Sequence, residues 1–163
     1  TMIAKMDTWL MNYAKKTKEK YSGANPNRAG TGAAGGLGFA FLSYTNAVLE
    51  SGVKIILEET KLESFIKNAD FVITGEGRLD GQTVMGKAPI GVAEIAKKYE
   101  KKVLAFGGCV AEDATLCNQY GIDAFFPILR TVTTLKEAMD FNHAKENLSA
   151  SVEQVFRLIQ SFK

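Results

Sequence analysis

The sequence predicts an α/β fold in which a parallel sheet occupies the second half of the chain. Three short apolar runs lie at residues 71–74, 102–106 and 123–128, and helical patterns separate them at residues 89–99 and 112–120. Strands that are covered on both faces read as continuous apolar runs. Strands that are joined through a helix run parallel. The alternation therefore predicts βαβ units, with helices on both faces of the sheet.

The first 69 residues lack this rhythm, which predicts a domain boundary near residue 70. The spacing of apolar residues predicts helices at 2–20, 37–50 and 62–69, and a short strand at 54–58. After the third apolar run, two more helices are predicted at 135–138 and 143–162.

The composition excludes several classes of protein. The 163 residues are 46% hydrophobic and 23% charged, as in ordinary globular proteins, and the net charge of +2 gives no basis for a nucleic-acid partner. No apolar stretch approaches the roughly 20 residues that a membrane helix needs, so no membrane partner is expected. Cys109 and Cys117, with one histidine in the chain, form no metal-binding pattern. We expect two reduced thiols in a cytoplasmic protein.

The main candidate site is the polar segment 74–87, which follows the first predicted strand. Ligands of open parallel sheets bind outside the carboxyl ends of the strands. Arg78 and Lys87 can neutralise a carboxylate or phosphate, and Glu76 and Asp80 can hold Mg²⁺ or accept a proton. Four glycines in the segment let backbone N–H groups approach an anion closely. The alternative is a polar loop that only caps the next helix.

A second candidate is the glycine-rich segment 30–38, whose backbone N–H groups could contact phosphate. It matches the GxGxxG pattern, but no predicted strand precedes it and no Gly-Lys-Ser/Thr follows. The alternative is a helix start that packs tightly against another backbone. A third segment, 107–109, is predicted to be a tight turn after the second strand, and its Cys109 is interpreted as a buried thiol rather than a nucleophile.

Together, these segments resemble the bacterial glycerate kinase family in one colinear pass over essentially the whole chain. The resemblance is carried by residues 30–38, 72–83, 86–93, 105–108 and 120–125, and its specific part lies between Thr74 and Ala93. It implies phosphorylation of D-glycerate with ATP and Mg²⁺ to a phosphoglycerate, commonly the 2-phosphate.

The resemblance also implies two α/β domains with the active site between them. Residues 1–69 would be the end of an inserted second domain, and residues 70–163 the returning part of a Rossmann-like first domain. Family members are longer, and their N-terminal half carries an Asp-Ser-Phe-Lys segment and a Gly-Gly-Ser-Ala-Thr-Asn-Asp-Gly-Gly segment that are missing here. We therefore expect a C-terminal fragment that is inactive alone. Its expected partners are the missing N-terminal half and a second copy of the chain.

On this basis, the predicted site combines charged and glycine-rich positions. The predicted catalytic residues are Asp80, Lys87, Arg78 and Glu76, with Glu76 and Asp80 also as Mg²⁺ ligands. The predicted substrate- or nucleotide-binding residues are Gly30, Thr31, Gly32, Gly35, Gly36, Thr74, Gly75, Gly77, Gln82, Thr83 and Gly86. Two alternatives remain open: a nucleotide-dependent oxidoreductase, from the GxGxxG match, and a non-catalytic flavodoxin-like binding module made of residues 70–163.

Overall fold

The structure is a computed structural model that describes residues 1–162. The chain forms two compact units, which divide between Ser51 and Gly52. The helices are α1 (Met2–Lys20), α2 (Ala33–Tyr44), α3 (Gly52–Glu59), α4 (Leu62–Ile66), α5 (Ala88–Lys98), α6 (Leu116–Gln119), α7 (Leu135–Ala138) and α8 (Phe141–Gln160). The strands are β1 (Phe71–Leu79), β2 (Lys102–Val110) and β3 (Ala124–Pro127).

The first unit is built on α1, as the sequence predicts. The helix begins at Thr1, whose hydroxyl accepts a hydrogen bond from the Ala4 N–H. Lysines in its last turn complement the negative end of the helix dipole. Tyr13 of α1 packs edge-to-face on Phe39 of α2, with ring centres 5.5 Å apart.

Helix α2 begins as predicted but ends earlier. Ala34, Gly35 and Gly36 have φ values of 50°, 68° and 95°, so regular helical backbone begins only at Leu37. The helix ends at Tyr44 rather than at residue 50. Thr45 leaves the helix in an extended conformation, and its hydroxyl donates to the Phe41 carbonyl at 2.7 Å. Such side-chain bonds to the backbone compete with helix continuation.

The strand predicted at residues 54–58 is wrong, because this segment lies in helix α3. Val53 and Leu57 point at Gly91 of α5: a Cβ at Gly91 would stand 2.7 and 2.9 Å from their side chains. Residues four apart share one face of a helix, so the apolar run packs with helical rather than strand periodicity. The second compact unit begins at Gly52 and so includes α3. The domain boundary near residue 70 stays a prediction. The assignment of residues 1–69 to an inserted domain stays a prediction.

The three strands form one parallel sheet in the order β1-β2-β3, which confirms the predicted topology. Helix α5 makes the first crossover and packs on the face that carries Val72, Val103 and Ala105. Its Ile90 and Ala93 belong to the same buried core.

Strands β1 and β2 are longer than predicted. Residues 75–79 continue β1, so the predicted loop is wrong over these residues, while residues 80–87 do form a loop. Residues 107–109 lie within β2, so the predicted tight turn there is wrong. Glycines allow the two backbones to stay in contact: a Cβ at Gly75 would stand 2.8 Å from the Phe106 carbonyl oxygen. Cys109 is exposed rather than buried, because it lies near the carboxyl end of β2 in register with Arg78.

The other face of the sheet meets helix α8. Phe156 packs edge-to-face on Phe71 at 6.0 Å, yet no α8 residue among those described is fully buried. Within residues 1–162, β1 has no strand on the side opposite β2. None of the described helices is both long enough and apolar enough to span a membrane.

Candidate functional site

The candidate site is the loop 80–87, at the carboxyl end of β1. The fully buried Leu79 anchors its start, and the Leu79 carbonyl accepts the N–H of Ala111, just past β2, at 2.8 Å. A 3₁₀ turn, Thr83–Met85, is followed by Gly86 at a φ of 95°. This left-handed backbone favours glycine and turns the chain into α5, which carries a proline in its first turn.

Asp80 is the centre of the loop. Its Oδ1 accepts the backbone N–H groups of Gln82 and Thr83 at 3.1 and 3.2 Å. The Thr83 hydroxyl donates to the same oxygen at 3.3 Å, and the Lys87 ammonium lies 3.6 Å from it. Asp80 Oδ2 faces the Arg78 guanidinium, with Nε at 3.3 Å. Three of the four predicted catalytic residues therefore form one cluster.

The pKa of Asp80 lies below its usual value. Burial raises it, but the Lys87 charge and the hydrogen bonds from Gln82 and Thr83 outweigh that effect. Asp80 is therefore anionic at neutral pH. Its side chain is 16% exposed, whereas those of Arg78 and Lys87 are 64% and 37% exposed. The cations of the cluster are thus the groups most accessible to an anionic ligand.

The fourth predicted catalytic residue, Glu76, lies apart from this cluster. It is half-buried within β1, in register with Gly107. Thr74, Glu76 and Arg78 alternate along the strand and so share one face of it. No hydrogen bond or ion pair engages Glu76 in the part of the chain that the structure describes.

The predicted binding residues of this region have different surroundings. Gln82 is exposed, whereas Thr83 is fully buried and hydrogen-bonded to Asp80. Gly75 and Gly77 are strand residues in contact with β2: a Cβ at Gly108 would stand 2.7 Å from the Gly77 carbonyl oxygen.

Two residues near the loop were not predicted. Asp113 follows β2, and its carboxylate lies beside Gly81. Cys117 is fully buried, with Sγ 4.0 Å from the Asp80 carbonyl oxygen. Burial raises the pKa of this thiol, and the charges of Asp80 and Asp113 raise it further, so it is not a nucleophile at neutral pH. Asp113 could have been predicted as a site residue from the sequence, because it follows the second strand and the carboxyl ends of neighbouring parallel strands meet at one edge of the sheet.

The glycine-rich segment lies in the first unit. Gly30 also has left-handed backbone, with a φ of 86°, and the buried Thr31 hydroxyl is bonded to the Pro26 and Arg28 carbonyls. Gly38 packs directly on the Gly30 carbonyl, where a Cβ would clash. At this position, the packing alternative that the sequence left open is confirmed. No strand precedes Gly30 in residues 1–51, so the structural context needed for a dinucleotide fingerprint is missing.

The same segment borders a cavity of about 300 Å³. Tyr13 and Phe39 contribute aromatic walls. Gly32, Gly35 and Gly36, three of the predicted nucleotide-binding residues, also line it. The structure therefore groups these glycines around one concave surface.

Comparison with known proteins shows to which family this chain belongs. The model of the glycerate kinase family matches residues 1–160. The chain belongs to the glycerate kinase family. It is 37% identical over 158 residues to a glycerate kinase of Haemophilus influenzae, a match that covers 97% of this chain and 41% of the relative. It is 42% identical over 147 residues to the glycerate 2-kinase of Escherichia coli K12, covering 90% of this chain and 38% of the relative.

A solved structure agrees with this membership of the glycerate kinase family. The crystal structure of a protein described as a glycerate kinase 2, from Salmonella typhimurium LT2, superposes with a TM-score of 0.71 at 36% identity. The match covers 98% of this chain and 40% of that one. The chain thus spans about two fifths of the length of these relatives, and it matches their C-terminal portion.

Proposed function

We propose that the gene product carrying this sequence transfers a phosphoryl group from ATP to D-glycerate, with 2-phosphoglycerate as the product. The observation that carries the proposal is the cluster of Arg78, Asp80 and Lys87 at the carboxyl end of β1. The names of the relatives give glycerate as the substrate, and one of them is a glycerate 2-kinase.

The two cations suit this reaction. Phosphoryl transfer depends on positioning and on neutralising charge more than on covalent chemistry. Arg78 offers a planar fork for a carboxylate, and Lys87 offers a compact charge for a phosphate. Both reach solvent while Asp80 holds them close together. We assign them to the glycerate carboxylate and the ATP phosphates.

The carboxylates divide into two roles. Asp80 Oδ1 already accepts three hydrogen bonds, and its pKa is lowered, so Asp80 is a poor proton acceptor. Among the described residues, no group of three or more acidic, histidine or cysteine side chains is placed to hold a metal ion. We therefore assign Asp80 Oδ2, with Asp113 beside the adjacent Gly81, to a Mg²⁺ ion that would be held mainly by phosphate oxygens and water. When bound, Mg²⁺ would neutralise phosphate charge. Glu76, which is free of hydrogen bonds and ion pairs among the described residues, is our candidate to orient the hydroxyl.

The glycine-rich segment is assigned to the nucleotide. The turn has left-handed backbone at Gly30, Gly35 and Gly36, and the Gly36 N–H donates to the Gly32 carbonyl at 3.3 Å. Gly32 and Gly35 are therefore our candidates to contact phosphate through the main chain. The adjoining cavity has aromatic walls. Thr31 supports the turn from within, since its hydroxyl is already bonded to two carbonyls.

We further propose that this chain alone is inactive and that residues outside it complete the site. Two surfaces support this. The edge of β1 has no strand partner within residues 1–162, and α1 exposes Ile3 and Trp9 at 80% and 61%. Uncovered edges and apolar surfaces of this kind mark interfaces. We infer that the N-terminal part of the longer protein covers them. A second copy of the chain is the alternative occupant.

An assay of ADP release with ATP, Mg²⁺ and D-glycerate tests the proposal. The complete gene product should turn over, and ³¹P NMR should identify 2-phosphoglycerate. The 163-residue chain should show no turnover, and it should self-associate on sedimentation. A complete gene product without D-glycerate-dependent ADP release would overturn the activity. Turnover by the short chain would overturn the inactivity, and a strict monomer at high concentration would count against the uncovered interface.

A further inference from the structure

Thr83 is a fully buried polar residue directly after the Asp80 turn. It stands at 0% exposure in the second unit, at the start of the 3₁₀ turn Thr83–Met85. A buried hydroxyl costs free energy unless it is hydrogen-bonded. Its bonding partners therefore show what the residue does.

Both bonds of the Thr83 hydroxyl go to Asp80. The Asp80 N–H donates to Oγ1 at 3.1 Å, and Oγ1 donates to Asp80 Oδ1 at 3.3 Å. The Thr83 N–H donates to the same Oδ1 at 3.2 Å, and to the Asp80 carbonyl at 2.9 Å. The hydroxyl is engaged as donor and as acceptor, inside the protein, so it is not available to a substrate.

These bonds distinguish the two oxygens of the Asp80 carboxylate. Oδ1 has Thr83, Gln82 and Lys87 around it. Oδ2 has one partner among the described residues, Arg78. Rotation of the carboxylate plane would break the bonds at Oδ1, so the arrangement keeps Oδ2 on the side of the exposed Arg78.

We propose that Thr83 is a positioning residue that fixes the Asp80 carboxylate with Oδ2 toward the ligands, and that it does not itself touch substrate. The inference rests on the proposed role of Asp80 in phosphoryl transfer. It reassigns Thr83, which the sequence suggested as a ligand-binding residue. The competing explanation is a loop cap that matters only for stability.

The test compares Thr83→Ser and Thr83→Val in the complete gene product. Serine keeps both hydroxyl bonds, so its kcat should stay within about twofold of wild type. Valine removes them, and its kcat should fall by roughly 10- to 100-fold, as for other residues that orient a ligating group. KM for D-glycerate and ATP should change much less, because the hydroxyl contacts neither. If T83V does not fold, Thr83→Ala replaces it.

Two controls separate positioning from stability. Thr17→Val removes another buried hydroxyl, which bonds to Tyr44 at 2.8 Å in the first unit, and it should leave kcat unchanged. In the double variant D80N/T83V, the kcat should be no lower than in D80N alone, because Thr83 acts through Asp80.

Each outcome has one meaning. A T83V enzyme with wild-type kcat, next to a D80N enzyme that is impaired, would overturn the positioning role and leave the proposed function intact. A D80N enzyme with wild-type activity would overturn the role of Asp80, and with it the basis of the inference. A rise in KM without a fall in kcat, or fully additive losses in the double variant, would make Thr83 a binding residue.

Discussion

The carboxylate of Asp113 occupies the space that a side chain on Gly81 would need. A Cβ at position 81 would stand 2.6 Å from Asp113 Oδ2, although the two residues belong to different loops. The loop after β1 and the turn after β2 therefore meet at the carboxyl edge of the sheet. This contact links the candidate site to an acidic group that does not belong to its own segment.

Gly81→Ala should disturb this arrangement without unfolding the protein. The group displaced is the end of an exposed aspartate, which can move, so the melting temperature should change little. If Asp113 helps to hold Mg²⁺, half-maximal activity of the complete gene product should need several-fold more Mg²⁺. Gly23→Ala is the matched control, because a Cβ there meets nothing within 4 Å. An unchanged Mg²⁺ dependence in G81A would remove Asp113 from the site.

A second prediction concerns the start of α7. Glu137 accepts hydrogen bonds from the Thr134 N–H, the Thr134 hydroxyl and the Thr133 hydroxyl at 2.9, 2.7 and 3.0 Å. These bonds lower the pKa of Glu137 to about 2. A carboxyl whose folded pKa lies below its unfolded value, near 4.3, stabilises the fold above that value. The contribution is lost as the pH falls toward 2.

Glu137→Gln should therefore lower the melting temperature at pH 7, and the difference from wild type should shrink as the pH falls from about 4.3 toward 2. Melting curves across this range measure the effect. Glu153→Gln is the control, since its partner Arg157 forms an exposed pair on α8. A difference for E137Q that is the same at pH 7 and pH 2 would contradict the assignment.

The sheet could be predicted from the sequence because its signal is local. Continuous apolar runs at residues 71–74 and 102–106 are typical of strands covered on both faces. The ends of the strands could not be predicted, because Gly75 and Gly107 look like turn residues. Their actual role depends on the neighbouring strand, whose carbonyl groups leave no room for a Cβ at Gly75.

The candidate site could also be predicted only where its signal is local. Arg78, Asp80 and Lys87 lie in one segment, so their clustering needs only a tight loop. Asp113 lies in the turn after β2, so its prediction needs the further step that the carboxyl ends of the two strands meet. Thr83 looks like a surface residue until its burial is known. The prediction of a strand at 54–58 was wrong because the continuous apolar run Ile55-Ile56-Leu57 shows neither helical nor strand periodicity. The packing of this segment on α5 determines that it is a helix.

Asp80→Asn tests the centre of the site in the complete gene product. The change keeps size but removes the charge that holds Arg78 and Lys87. We expect turnover to fall by roughly 100-fold or more, because the anion that would hold Mg²⁺ and keep the two cations in place is lost. Asp123→Asn is the matched control: Asp123 is also anionic and paired with Lys97, but it bonds to the Val103 N–H near the start of β2. D123N should change stability while kcat stays near wild type. Equal turnover in D80N and wild type would mean that the loop is only a structural cap.

Lys87→Met addresses the phosphate partner. The substitution keeps the aliphatic stem and removes an ammonium that lies 3.6 Å from Asp80 Oδ1 and is 37% exposed. A cation that neutralises phosphate charge in the transition state contributes more there than in the ground state, so kcat should fall more than the affinity for ATP. Lys97→Met is the control, because it removes a lysine that is equally paired, but with Asp123. The loss of Lys87 also leaves Asp80 with one cation fewer, so the Asp80 pKa should rise toward its usual value. If K87M raises KM for ATP and leaves kcat unchanged, Lys87 binds the nucleotide equally in the ground state and the transition state. It then does not stabilise the transfer step.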